Sequence, residues 1–242
     1  MIFSAIYCEF AKLRNSLVLL LCIAAPAMVA ILSGLILLDR SEATDWYMFS
    51  MQAAAMWSYF MLPMTVTALT ILIAQIDHGP KAWNHLLALP VPRWHFYAAK
   101  AFVVVSLVGA MSAALVVLLP AAGGIVDLLL ADQKLKGAYP WFGTASLIAT
   151  MFAGSLLLTA IQLWASLRFR SFVPPLILGI GGTFVAVAAT ASRQGAFFPW
   201  LIPTNALGAD PERVATAIQI GFYGGIAVGI FMLFDMGHKQ AG

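Results

Sequence analysis

An all-α, polytopic membrane protein is the fold class this sequence predicts, and three observations predict it. Of 242 residues, 62% are hydrophobic and only 10% are charged, well under the roughly 25% charged residues of an ordinary soluble domain. Six apolar runs follow one another, at about 17–38, 51–76, 98–120, 142–166, 172–192 and 215–234, each near the roughly 20 residues a helix needs to cross a bilayer. The thirteen lysines and arginines are scattered singly, all but Lys100 outside those runs, and form no basic stripe. Nucleic acid is therefore not an expected partner, and membrane lipid is.

The first run, 17–38, is too long for the 7 to 15 residue apolar core of a cleaved signal peptide, so it reads as a retained helix. Six spans return both chain ends to one side. Placing that side in the cytoplasm puts Lys12, Arg14, Lys81, Arg93, Lys100, Arg168, Arg170 and Lys239 inside, against Arg40, Lys134, Lys136, Arg193 and Arg213 outside, as the positive-inside rule requires. Trp46, Trp83, Trp94, Trp141, Trp164 and Trp200 fall near span ends as an aromatic belt, and Trp57 lies deeper. The whole chain, 1–242, reads as one integral domain in a bacterial inner membrane.

Three segments outside the spans are more than connections. At the N-terminus, Ile2, Phe3, Ile6, Phe10 and Leu13 share one helical face, with Ser4, Glu9, Lys12 and Asn15 largely opposite, which predicts a short amphipathic helix lying in the inner interface. The outer stretch 195–205 is apolar but carries Pro199 and Pro203. It is expected to dip into the outer interface as broken helical turns packed on protein. The third segment is the inner loop 77–100. Gly79 and Pro80 open a helix there and Pro90 ends it. Trp83, Leu86, Leu87 and, less centrally, Pro90 gather on one side of it, with Lys81, Asn84, His85 and Ala88 on the other. Such a helix can lie on lipid or insert into a partner's groove.

Chemistry is marked mainly by absences. The sequence has no G-x-x-x-x-G-K-[ST] phosphate loop, no H-E-x-x-H, no G-x-S-x-G and no G-x-G-x-x-G after a strand. Catalytic and metal-binding residues are thus not expected, and Cys8 and Cys22 lack metal spacing. The deepest polar side chains are Gln52, Gln162 and Gln219. Lys100, Arg168, Arg170 and Asp235 lie near enough to helix ends to reach water by snorkelling. An ion-driven carrier would need charge at mid-membrane. In the last run Gly221, Gly225 and Gly229 recur every four residues, a small-residue face for close helix packing, within the bundle or against a second protomer.

The inner loop resembles that of the permeases of ABC-2 type exporters, most closely the bacitracin and lantibiotic export and immunity branch. The shared pattern is an acid, a Trp, a Leu-Leu pair, Pro, a small or branched residue, Arg and a later Lys, here Asp77, Trp83, Leu86-Leu87, Pro90, Val91, Arg93 and Lys100. That family more often has Glu at the position of Asp77, and a small polar residue at that of Pro92. The resemblance implies a cytoplasmic coupling helix between helices 2 and 3, with Asp77, Lys81, Trp83, Leu86, Leu87, Pro90 and Arg93 docking on a separate ABC ATP-binding subunit. It implies an ABC-2 permease that binds no cofactor itself, with ATP and Mg on the partner subunit, and a second permease protomer completing a homo- or heterodimer. The exported substrate would be amphipathic, an antimicrobial peptide being the family example. The residues alone also accommodate a stand-alone carrier or channel, or a non-transporting docking or sensor subunit.

Overall fold

The computed structural model describes residues 2–14, 16–78, 92, 94–130, 135–190, 192 and 195–238. Helices dominate them. The first is α1 (Ile2–Leu13), followed after a tight turn by α2 (Leu17–Asp39). Ser16 makes that turn: its hydroxyl donates to the Leu13 carbonyl at 2.9 Å and accepts from the Val18 amide at 3.3 Å. One hydroxyl thus satisfies backbone groups at the end of one helix and the start of the next.

The second expected run begins earlier than its apolar stretch suggests. Helix α3 (Trp46–Met56) starts at Trp46 because the Asp45 carboxylate caps it, accepting from the Met48 amide at 2.7 Å. It passes through a π-helical turn at Trp57–Met61 into α4 (Leu62–His78). That turn ends two residues before Pro63, whose missing N–H and bulky ring do not fit an unbroken α-helical ladder. Trp57 within it is fully buried.

The third helix, α5 (Trp94–Leu130), runs for 37 residues and does not stop near Pro120. A proline at 120 removes the amide that would bond to the Val116 carbonyl. The Tyr139 hydroxyl takes its place, donating to that carbonyl at 3.1 Å. Tyr139 is brought there by two interhelical connections, in which β1 (Thr44–Asp45) and β2 (Leu135–Lys136) form a short parallel pair. Trp46 packs edge-on to Tyr139 at 5.3 Å and covers Gly123.

The fourth run is a bent pair, α6 (Trp141–Gly154) and α7 (Leu156–Arg168), inclined at 42° to each other. The chain closes with α8 (Val173–Ala189), two 3₁₀ turns at Gly195–Phe197 and Ile202–Leu207, and α9 (Pro211–His238). By length and composition, four helical stretches among the described residues can cross a membrane: Leu17–Asp39, Trp46–Asp77, Trp94–Leu129 and Pro211–Gly237. The bent pair makes a fifth if it counts as one span. The apolar helix α8 has 17 residues, about 25 Å at 1.5 Å per residue, slightly less than the roughly 30 Å hydrocarbon core. The protein is a multi-pass integral membrane protein.

The break in the fourth run has a partner. The 3₁₀ turn at Ile202–Leu207 packs there, with Ile202 and Pro203 beside Gly154 and Trp200 over Gly182 of α8. Trp200, Leu201 and Ile202 are all buried. The proline-containing connection therefore descends alongside the helices as broken turns packed on protein, its backbone shielded by the neighbours that flank it.

Candidate functional site

At the end of the bundle where α4 finishes and α5 begins, four charged side chains meet. Asp77 is in the last turn of α4, Lys100 lies almost two turns into α5, and Glu9 and Lys12 come from α1. Lys100 Nζ is 2.5 Å from Glu9 Oε2 and also pairs with Asp77. Lys12 Nζ is 2.5 Å from Glu9 Oε1 and 3.0 Å from Asp77 Oδ1. The four groups form a closed ring of alternating sign, each ion touching two of opposite charge and the whole being neutral. Glu9, Asp77 and Lys100 are buried, and only Lys12 keeps partial contact with solvent.

Neutrality is what makes such burial tolerable. Removing ions from water costs several kcal/mol each, offset only where partners and hydrogen bonds are complete. Burial by itself would lower the basicity of Lys12, but the carboxylates of Glu9 and Asp77 outweigh it and hold its pKa above the ordinary lysine value.

The ring sets which way α1 faces and divides its expected apolar face: Leu13 is buried beside Glu9, while Phe3 and Phe10 are left exposed. Glu9 and Lys12 point inward to the ring, while Phe3, Tyr7 and Phe10 are exposed, Phe3 at 82% and Tyr7 at 76%. Aromatic side chains are at home at a membrane interface, so the outward face suits the interfacial position expected of α1.

One expectation changes here. Lys100 does not snorkel to water; it is buried between two carboxylates, because α1 folds over the N-terminal end of α5 and supplies Glu9. Asp77, which the resemblance places among the docking residues, has Lys12 and Lys100 of its own chain on its two oxygens. Its pairing with Lys100 ties together the two helices between which the inner loop runs. The loop residues Lys81, Trp83, Leu86, Leu87, Pro90 and Arg93 lie outside the described residues.

Nothing in the sequence joins Glu9 and Lys12 to Lys100. The available signal was a carboxylate on an otherwise apolar N-terminal segment and a lysine inside an apolar run. Each looked like surface charge until folding brought them together.

Elsewhere at this end, the Trp164 indole donates to Asp235 at 3.0 Å, linking α7 to α9. Deeper, the Gln162 amide donates to the Pro175 carbonyl at 2.6 Å. The small-residue face of α9 divides. A side chain at Gly221 would strike the backbone of Gly154, and one at Gly225 the backbone of Leu156 and Leu157, so these two allow close approach to α6 and α7. Gly229 faces open space in an apolar groove of about 240 Å³ lined also by Ala101, Val105, Leu163 and Met232. Among the described residues no group of three or more His, Cys, Asp or Glu side chains gathers as a metal site.

A family model described as ABC-2 family transporter protein matches residues 5–186. The match runs from α1 into α8 and includes all four charges of the ring. No curated protein and no solved structure matches the chain.

Proposed function

This chain belongs to the ABC-2 family of transporter proteins, and on that premise we propose that it is the membrane-spanning permease subunit of an ATP-driven exporter whose ATPase is a separate cytoplasmic chain. In this reading all six apolar runs cross the inner membrane, α8 included, with both chain ends in the cytoplasm. The inner loop, with Lys81, Trp83, Leu86, Leu87, Pro90 and Arg93, is the coupling helix that docks on the ATPase, and Asp77 anchors its base. A second permease protomer completes the transporter, and the cargo is amphipathic, an antimicrobial peptide or a molecule of similar character. ATP and Mg are held by the partner subunit.

The observation that carries the reading is the ion pair between Asp77 and Lys100. A loop whose two ends are pinned by a buried pair acts on both attached helices together, so a push on the loop would alter how α4 and α5 pack against the rest of the bundle. Two packings of one bundle, biased by nucleotide on a docked subunit, are what a transport cycle needs.

Purification in mild detergent followed by replacement of Trp83 tests this. An ATPase should co-purify with the wild-type chain, and Trp83→Ala should weaken the association by about 2 kcal/mol, roughly thirtyfold, as loss of a buried aromatic anchor does. Unchanged recovery of the ATPase with Trp83→Ala, at normal expression and insertion, would remove the coupling assignment.

A further inference from the structure

We propose that α1 is a third arm of the coupling joint, and that Glu9 is the positioning residue that makes α1 move with the base of the inner loop. The inference rests on the reading that this loop receives the ATPase. It extends that reading to an element outside the loop.

The first argument is attachment. Helix α1 is joined covalently to α2, yet it packs far more extensively on α5 than on α2. Its strongest links cross to the loop base: Glu9 holds Lys100, and Lys12 holds Asp77. Between α1 and α2 the chain turns sharply at Ser16. A helix fastened to one element and tethered to another by a turn follows the element it is fastened to, with the turn as its hinge.

The second argument is charge. Without Glu9, the two ammonium groups would share one carboxylate and the buried ring would carry a net positive charge. Glu9 is the only ring member bonded to both lysines from outside the loop's two flanking helices. It keeps Lys100 on Asp77 while fastening α1 to both. The third is the outward face. Phe3, Tyr7 and Phe10 are exposed on the side of α1 away from the ring, so a shift of the loop base would tilt an aromatic surface against its surroundings. Nucleotide events on the partner would thereby be felt along α1.

Cys8 provides a native reporter, being exposed and adjacent to Glu9 in sequence. In a Cys22→Ser background, Cys8 is labelled with an environment-sensitive fluorophore, and the permease with its co-purified ATPase is reconstituted in lipid nanodiscs. Trapping the ATPase with ATP and vanadate should shift the emission when the ring is intact. Glu9→Gln should abolish the shift, compared per recovered complex, and Glu9→Asp should retain it. An unshifted emission from the intact-ring complex that hydrolyses ATP overturns the proposal, whatever the Glu9 variants do. So does an undiminished shift in Glu9→Gln. Failure of any ATPase to accompany the wild-type chain would instead sink the coupling reading and this proposal with it, and the two failures are told apart by whether a complex is recovered.

Discussion

The Tyr139 hydroxyl donates at 3.1 Å to the carbonyl of Val116, the group that Pro120 deprives of its helical donor. A side chain from the connection that follows α5 therefore repairs the ladder of that helix. Tyr139→Phe should destabilise the protein by about 1 kcal/mol, the cost of leaving a half-buried carbonyl unpaired. In a Pro120→Ala background an amide returns to position 120, and the same substitution should then cost much less. Thermal melts of the four proteins measure the coupling, and strictly additive effects would show that the hydrogen bond does not perform this repair.

The charged ring makes a second quantitative expectation. Lys100→Met removes one buried ion and leaves Glu9 and Asp77 with Lys12 alone, so the loss should be about 3–5 kcal/mol. Glu9→Gln combined with Lys100→Met restores neutrality and should be less harmful than the sum of the single changes. Detergent melting temperatures of the double-mutant cycle decide it.

The raised pKa of Lys12 fixes a direction for pH. A cation whose folded-state pKa lies above its unfolded value contributes stability that is fully present below the unfolded value, here the ordinary 10.5. The contribution is lost as pH rises through the folded-state value. Melting temperature should accordingly hold from neutral pH to about 10 and fall beyond it, with Lys12→Gln showing a smaller alkaline decline. Equal declines in both proteins would assign the alkaline loss to other groups.

Glycines of α9 should respond unequally to the same substitution. At Gly221 an added methyl group strikes the backbone of Gly154, which cannot rotate away, so Gly221→Ala should cost about 1–3 kcal/mol. Gly229 has nothing within 4 Å of an added methyl group, and Gly229→Ala should change stability by no more than about 0.5 kcal/mol. Similar melting shifts for the two would contradict the close approach of α9 to the break between α6 and α7.

Orientation is open to labelling. Cysteines placed at the exposed positions Asp45, Lys136 and Asp210 should react with an impermeant thiol reagent from outside the cell, and one at Arg168 only from the cytoplasm. Reaction of the Arg168 position from outside would invert the proposed topology and remove the inner loop from reach of a cytoplasmic ATPase.

By itself the sequence determined what depends on local composition and period. Runs of apolar residues long enough for a bilayer mark the helices of a multi-pass protein because an unpaired backbone is too costly in hydrocarbon. Pro199 and Pro203 likewise exclude a long helix from the outer connection. Only the tertiary structure decided where charge goes. Glu9 and Lys100 lie 91 positions apart, and nothing in either neighbourhood distinguishes a side chain bound for water from one bound for a buried partner, since that depends on which helix folds over which. The same holds for Pro120. Read locally it ends a helix, but α5 continues because Tyr139, brought back from the far side of a connection, replaces the hydrogen bond that proline removes. Long-range pairing of this kind leaves no periodic trace in the chain, because the energy that selects it exists only after the elements have met.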